Sequence, residues 1–334
     1  MVSPANIVIV WPSDKEFVIA PVEKRLHELG HAVTRYKEIA DAVAAGERIL
    51  ADADVLLPFP EFPSTRALLT NASRLRAAIS PVTGIDGIDL TAANDLKIVV
   101  GNVLVPESHE SMAEATILMM LSALYDLRGS EYLLRNNLPS RPPVARMAKN
   151  RTVGMIGFGH ISRAIAARLA GWEMKLQAYA PRLRAPLPEN VTRVELDELL
   201  RTSDIVLVLA SLNAETRKLL NAERLASMKK GAILVNTARG AIVDENAMFR
   251  LAKSGHLRTI AVDVFETEPL PADNQLRELP NAILTGHCVG HTIDTIEAQP
   301  LFALESIARV LKGEPPLSVK NPDVLPAWRQ RWGG

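Results

Sequence analysis

The sequence is poor in cysteine and has no excess of charge of either sign. Its 334 residues include one cysteine, Cys288, and 38 basic side chains that balance 38 acidic ones. A single cysteine excludes an intrachain disulfide and a thiolate metal site, and it favours a reducing compartment. The zero net charge, with no long Lys/Arg run, gives no sign of binding to nucleic acid or to an anionic membrane.

Long apolar runs are also missing. The most apolar stretch, 116–124, covers about half of a membrane span. The N-terminal segment lacks a basic region, and its apolar run, 7–10, is too short for a signal peptide. With 48% apolar and 23% charged residues, the composition is that of a globular chain. We therefore expect a cytoplasmic protein of two domains, because a domain commonly holds about 100–200 residues.

The sequence does contain short β-branched runs that alternate with amphipathic stretches, a pattern typical of parallel α/β sheets. The first series has predicted strands at 6–10, 54–58, 75–79 and 97–100, and predicted helices at 18–29 and 39–50. A long helix at about 107–134 and a proline-bearing loop or arm, 135–150, follow. A second series starts at 152, with predicted strands at 153–156, 175–179, 205–209, 232–235, 259–262 and 282–284. We predict an α/β protein with two doubly wound parallel-sheet domains, joined near the long helix.

Segment 154–162, GMIGFGHIS, has the glycine spacing of a dinucleotide-binding turn. It lies between a predicted strand and a predicted helix, 161–169. Gly157 permits the tight turn, Gly159 lets the backbone approach a pyrophosphate, and the helix start supplies amide donors and a positive dipole. The third small position holds Ser162. An ordinary glycine turn stays the alternative, but the strand–turn–helix context favours a dinucleotide site.

The residues after the next predicted strand bear on the choice of cofactor. An NAD-type site expects an acidic residue about 20 residues beyond the glycines. Here Ala180 stands at that position, and Arg182 and Arg184 follow it. No carboxylate repels a 2′-phosphate, and a guanidinium can bind one. NADP(H) is the preferred cofactor and NAD(H) is possible; the alternative is that both arginines are solvated loop residues.

Polar residues follow three predicted strands of the second series. Arg239 comes after 232–235, Asp263 and Glu268 come after 259–262, and His287 comes after 282–284. Open α/β sheets bind ligands at this edge. An arginine can hold a substrate carboxylate, a histidine can deliver a proton, and a carboxylate can fix the histidine tautomer. Together they suit the reduction of an oxo acid; singly, each has an ordinary structural explanation.

These segments resemble the D-isomer-specific 2-hydroxyacid dehydrogenases, and the resemblance covers nearly the whole chain. The matching segments are 111–114 (SMAE), 236–240 (NTARG), 263–270 (DVFETEPL) and 284–292 (LTGHCVGHT). The resemblance implies that Arg239 is catalytic, that Glu268 pairs with His287, and that His287 is the acid/base. Asp263 aligns with the acid near the nicotinamide. Gly286 stands where the family has a proline.

The resemblance also implies the ligand contacts. The expected cofactor-binding residues are Gly157, Gly159, His160, Ile161, Ser162, Arg182, Ser211, Thr237, Ala238, Asp263 and Gly290. The expected substrate-binding residues are Val82, Thr83, Gly84 and Phe59. The first three lie in a loop similar to the family's carboxylate-binding loop, although Pro81 and Val82 are unusual there. No metal is expected.

The implied architecture is a Rossmann domain inserted in a flavodoxin-like domain. Residues 1–102 would form the substrate (catalytic) domain, 103–287 the dinucleotide-binding domain, and 288–334 the C-terminal return to the substrate domain. Family members commonly dimerise through the cofactor domain, so we expect a homodimer with the arm 135–150 as a partner contact.

The implied activity is hydride transfer between NADP(H) and a small or apolar, unphosphorylated 2-oxo acid, as in glyoxylate/hydroxypyruvate reductases. The loop 58–62 (PFPEF) offers no cation for a phosphate, and Arg66 is the one nearby cation. Two alternatives stay open: an NAD-dependent D-2-hydroxyacid dehydrogenase of other substrate range, and a non-catalytic dinucleotide-sensing scaffold of the same fold. The complete Arg–Glu–His set favours an enzyme.

Overall fold

The computed structural model of the protein describes residues 4–183 and 185–333. The chain forms two compact units: one ends at Ser108 and resumes at Thr292, and the other spans His109–His291. Which unit takes the substrate and which the cofactor is a prediction from the sequence. Within the described ranges, no helix combines the length and the apolar character needed to cross a membrane.

Each unit contains one fully parallel sheet. The first sheet has five strands in the order β2-β1-β3-β4-β5: β1 Asn6–Val10, β2 Ala32–Tyr36, β3 Val55–Pro58, β4 Ala77–Ser80 and β5 Val99–Asn102. The second sheet has seven strands in the order β12-β11-β10-β9-β6-β7-β8: β6 Thr152–Ile156, β7 Lys175–Tyr179, β8 Val191–Arg193, β9 Ile205–Val208, β10 Ala232–Asn236, β11 Leu257–Val262 and β12 Ala282–Leu284.

Helices connect the strands. They are α1 Glu16–Glu28, α2 Ile39–Ala45, α3 Arg66–Thr70, α4 Leu90–Asp95, α5 Pro106–Tyr125, α6 Leu127–Arg135, α7 His160–Arg168, α8 Leu196–Thr202, α9 Ala222–Ala226, α10 Glu245–Lys253, α11 Ile293–Leu311 and α12 Leu325–Trp332. The strands β3, β4, β5, β9 and β10 are buried along their whole length. Two apolar clusters pack on each sheet, as expected for parallel strands covered on both faces.

The strand orders fix where ligands can bind. In the second sheet the chain runs from β6 outward to β8 on one side, then returns to β9 and runs outward to β12. This is the order of a dinucleotide-binding Rossmann sheet, and its crevice lies at the carboxyl ends of β6 and β9. The first sheet has the flavodoxin-like order. The prediction of two doubly wound α/β domains is confirmed.

Two strands were missed, and two helices were predicted as one. The strands β2 and β8 were not predicted, because both are edge strands with mostly accessible residues and no apolar run. The helix predicted at 107–134 is two helices, α5 and α6. Asp126 separates them with a left-handed backbone, φ 50°.

Candidate active site

The glycine turn after β6 fits a dinucleotide. Gly157 has φ 94°, and a Cβ there would lie 2.8 Å from the Cα and the amide nitrogen of Ala210. A Cβ on Gly159 would instead meet open space, and among the residues that the structure describes no side chain caps the start of α7. The first amides of α7 are therefore open to an anionic group such as a diphosphate. Ser162 is buried and donates its hydroxyl hydrogen to the carbonyl of Gly157 at 2.9 Å, so it fits the crowded third position.

The residues predicted to select the cofactor follow β7. Ala180 is buried at the position where an acid was expected. The side chain of Arg182 is 68% exposed, and it forms an ion pair with Glu215, whose side chain is 69% exposed. This partner was not anticipated from the sequence. Arg184 lies outside the described residues.

The other expected cofactor contacts divide into two groups. His160, Ile161, Ser211 and Ala238 are accessible or partly accessible. Thr237 and Gly290 are instead packed on α5. The hydroxyl of Thr237 lies 2.9 Å from that of Thr116, and a Cβ on Gly290 would lie 1.8 Å from Sδ of Met112.

Asn236, the last residue of β10, holds the loop that carries Arg239 in place through two hydrogen bonds. Asn236 Oδ1 accepts a hydrogen bond from the amide of Ala238, and Asn236 Nδ2 donates to the carbonyl of Arg239, each at 3.1 Å. The next residue, Gly240, packs on the backbone after β11. A Cβ there would lie 2.0 Å from the carbonyl carbon of Phe265. Only glycine lets the Arg239 loop approach the Glu268 loop so closely.

Glu268 and His287 are in direct contact. His287 Nδ1 lies 2.6 Å from Glu268 Oε2, and the amide of Phe265 donates to Glu268 Oε1 at 3.0 Å. Burial raises the pKa of Glu268, but the hydrogen bond and charge of His287, the Phe265 amide and the charge of Arg239 together hold it below its usual value. The carboxylate is therefore ionised and accepts the hydrogen bond, so Nδ1 donates.

Asp263 shapes the turn that presents His287. Its Oδ1 accepts hydrogen bonds from the hydroxyl of Thr285 at 2.7 Å and from the amides of Cys288 and Val289 at 3.0 and 3.2 Å. Its carbonyl accepts from the amide of His287 at 2.7 Å. Asp263 is 1% exposed. Asp263 was predicted only to lie near the nicotinamide, and its part in holding this turn was missed. The position of Thr285 inside the 284–292 motif is the signal that could have shown it.

The second unit thus brings Glu268 and His287 into contact, with Arg239 close enough for its charge to act on Glu268. Arg239 is a cation that can bind a carboxylate or carbonyl oxygen, and a histidine paired through Nδ1 can transfer a proton through Nε2. This set can reduce a carbonyl next to a carboxylate when a hydride donor is present.

The loop predicted to bind the substrate carboxylate lies in the first unit, after β4. Asn102 Nδ2 donates to the carbonyl of Thr83 at 2.7 Å, and the amide of Val103 donates to the carbonyls of Ser80 and Val82 at 3.1 Å. Among the described residues, no acceptor is found for the amides of Thr83 and Gly84. The loop is held in place by hydrogen bonds, and its two amides without an acceptor are suited to bind a carboxylate.

The loop after β3 differs from its prediction. Phe59 packs edge-on against Trp11 at 5.0 Å between ring centroids, and Lys15 Nζ lies 5.1 Å from the centroid of the Phe59 ring. The expectation that Arg66 is the one nearby cation is therefore wrong. Phe62 is a core residue, and Arg66 pairs with Asp95 at 2.6 Å. Lys15 follows β1, the neighbour of β3 in the sheet, so the strand order was the signal needed to find it.

Comparison with known proteins identifies the family. Residues 117–289 match the model of the D-isomer specific 2-hydroxyacid dehydrogenase NAD binding domain. The chain belongs to this family. The resemblance inferred from the sequence motifs is confirmed, and the protein is an oxidoreductase that uses a nicotinamide dinucleotide and acts on CH–OH donors.

Individual relatives carry different names. The glyoxylate reductase of Thermofilum pendens is 32% identical over 289 residues, which are 83% of this chain and 84% of that protein. The D-3-phosphoglycerate dehydrogenase of Methanocaldococcus jannaschii is 32% identical over 91% of this chain and 58% of its own length. The NAD-dependent formate dehydrogenase of Staphylococcus aureus, solved with NAD, superposes with a TM-score of 0.82 at 28% identity, covering 93% of this chain and 96% of its own.

Proposed function

We propose that this enzyme uses NADPH to reduce a small or apolar, unphosphorylated 2-oxo acid, such as glyoxylate or hydroxypyruvate, to the D-2-hydroxy acid. The hydrogen bond of 2.6 Å between Glu268 and His287, beside Arg239, carries the proposal. It gives the histidine a fixed tautomer and a negative partner at the edge where a Rossmann sheet binds its ligand. The name of the Thermofilum pendens relative supports the substrate class.

Each side chain has one role in this reaction. The bound nicotinamide supplies the hydride. His287 Nε2 gives a proton to the carbonyl oxygen, and Glu268 stabilises the protonated ring through Nδ1. Arg239 holds the substrate carboxylate or the polarised carbonyl by charge-assisted hydrogen bonds. The amides of Thr83 and Gly84 are proposed to bind the substrate carboxylate.

The preference for NADPH rests on Ala180 and Arg182. An ion pair between exposed groups contributes only about 0–1 kcal/mol, so a 2′-phosphate can displace Glu215 from Arg182. Arg182→Ala should therefore lower kcat/KM for NADPH far more than for NADH. Glu215→Gln is the matched variant, and it should favour NADPH further, because it removes the competing carboxylate. If Arg182→Ala lowered kcat/KM equally for NADPH and NADH, Arg182 would only support the loop and would not select the cofactor.

Lys15 favours a second candidate, a substrate with an additional anionic group. A cation beside Phe59 could bind a phosphate or a second carboxylate, and one relative is a D-3-phosphoglycerate dehydrogenase. The deciding experiment compares kcat/KM for glyoxylate, hydroxypyruvate and 3-phosphohydroxypyruvate in the wild type and in Lys15→Met. Lys24→Met, an exposed lysine on α1, is the control. A wild-type preference for 3-phosphohydroxypyruvate that Lys15→Met abolishes would establish the second candidate.

We further propose a cytoplasmic homodimer that forms through the second unit. The helices α5 and α6 and the following arm expose large apolar side chains, among them Leu118, Tyr125, Leu127, Tyr132, Leu134 and Met147. Large apolar side chains exposed on neighbouring elements favour an interaction surface there. Leu134, at 83% exposed, is the residue to change. Leu134→Glu should shift the sedimentation coefficient from dimer to monomer, and a wild-type monomer would refute the proposal.

A further inference from the structure

Two histidine rings stack beside the dinucleotide turn. His160 is the first residue of α7, and His109 lies in the first turn of α5. Their ring centroids are 4.6 Å apart and their planes differ by 11°. His160 is exposed and His109 is partly buried. The family resemblance implied that His160 is a cofactor contact, but no sequence motif connected His109 with this site.

Charged side chains on the same two helices form contacts of their own. On α5, Glu110 and Glu114 both pair with Arg168 of α7, at 2.5 and 2.9 Å. On α7, the guanidinium of Arg163 lies 5.2 Å from the centroid of the Phe158 ring. These carboxylates and guanidinium groups therefore have partners of their own. Imidazole is the side chain that ordinarily changes charge in the physiological pH range.

We infer that His109 belongs to the cofactor's diphosphate-binding site, and that the stacked pair takes up one proton when the dinucleotide binds. The negative charge of a bound diphosphate stabilises a protonated His160. The ring of His109 stabilises that cation from its face, and repulsion between like charges keeps the second ring neutral.

The inference has a measurable consequence for binding. A charge-assisted hydrogen bond is about twice as strong as a neutral one, so affinity for the dinucleotide should rise by about three- to tenfold between pH 8 and pH 6. The inference concerns dinucleotide binding alone. Its test therefore does not depend on the preferred substrate or on the preference for NADPH.

The experiment measures the Kd of NADH by fluorescence titration at pH 6 and pH 8. NADH is the probe because its diphosphate stays ionised throughout this range and it carries no titrating 2′-phosphate. Isothermal titration calorimetry near pH 6.5, in two buffers of different ionisation enthalpy, counts the protons taken up. The variants are His160→Gln, His109→Gln and His109→Phe, which keeps an aromatic ring against His160.

His256→Gln is the control, because His256 precedes β11 at the opposite, amino-terminal edge of the same sheet. We expect proton uptake and tighter binding at pH 6 in the wild type, in His256→Gln and in His109→Phe. Both effects should vanish in His160→Gln and weaken in His109→Gln. An unchanged pH dependence in His160→Gln, or equal behaviour of His109→Gln and the wild type, would overturn the inference. Circular dichroism confirms that each variant is folded.

Discussion

His287 has a backbone conformation that few side chains accept. Its φ of 56° lies in the left-handed region, where histidine, asparagine and aspartate are more frequent than other non-glycine residues. The turn is maintained by Asp263, which accepts hydrogen bonds from the turn on both its backbone and its side chain. The residue preceding His287 is Gly286, so hydrogen bonds, rather than a proline ring, define the position of the imidazole.

The first prediction concerns the acid/base role of His287. His287→Asn preserves the backbone preference and removes the proton donor, so turnover of a 2-oxo acid should fall by about 10²- to 10⁴-fold. The Kd of NADH should be unchanged. His291→Asn, a neighbouring accessible histidine, serves as the control and should retain activity. Full activity of His287→Asn would remove His287 from the chemistry.

The second prediction concerns the pKa of Glu268. In the wild type this pKa is lowered, so the carboxylate stays ionised below the ordinary value of about 4.3. Its contribution to stability is therefore complete above that value and is lost as the pH falls through the lowered pKa. In His287→Asn the imidazole's hydrogen bond and charge are gone while burial remains, so the pKa of Glu268 should rise. Carboxyl-carbon NMR titration measures it, and an unchanged pKa would contradict the pairing.

Sequence reasoning at this scale worked where a residue follows an apolar strand. Arg239, Glu268 and His287 were found by that rule, and the structure places Glu268 and His287 in contact, while their catalytic roles stay predictions. Lys15 and Glu215 were missed because each approaches its partner across the sheet edge from a distant loop. Such contacts depend on strand order, which periodicity does not provide.

At the scale of elements, the site depends on how closely two loops pack. The loop after β10 carries Arg239 and the loop after β11 carries Glu268. At Gly240 the two loops approach so closely that there is no space for a side chain. The third prediction follows. Gly240→Ala should displace one loop, lower kcat/KM and reduce the free energy of unfolding by about 1–3 kcal/mol, the usual cost of overpacking.

Gly286→Ala is the matched control for this substitution, because a Cβ at 286 meets open space. Urea unfolding and steady-state kinetics on both variants make the comparison. If Gly240→Ala matched Gly286→Ala in both measurements, the close approach of the two loops would be irrelevant to the site.

Element prediction succeeded for the apolar strands, including the edge strands β5 and β12, and failed for the edge strands β2 and β8. The central strands are short apolar runs bounded by polar residues, so hydrophobicity alone finds them. The edge strands β2 and β8 each pair with one neighbouring strand and have many accessible positions, so their hydrophobic signal is weak. The break between α5 and α6 rests on a single left-handed Asp126, which no apolar period reveals.

At the scale of the whole molecule, the chain divides into two units with separate cores. The fourth prediction uses this division. NADH at one hundred times its Kd stabilises the form that binds it by about 2.7 kcal/mol. If the second unit alone holds the cofactor, amide hydrogen exchange should slow mainly in β6–β12 and much less in β1–β5. Equal slowing in both sheets would mean that the two units open as one cooperative block.

The presence of two parallel sheets was predictable, because the alternation of strands and helices stops near residue 135 and starts again at 152. The insertion of the second unit within the sequence of the first could not be predicted from hydrophobic periodicity. It came from the resemblance to a family, since a chain that leaves a compact unit and returns to it almost two hundred residues later gives no local sign of doing so.

The left-handed turn at His287 also has an evolutionary consequence. The codons for histidine are one nucleotide away from those for asparagine and aspartate, the two other side chains that suit this backbone. A single point mutation can therefore abolish proton transfer while leaving the turn, the Asp263 hydrogen bonds and the dinucleotide site intact. Gene duplication followed by that one change would yield a folded, nucleotide-responsive, inactive paralogue, available for selection as a redox sensor.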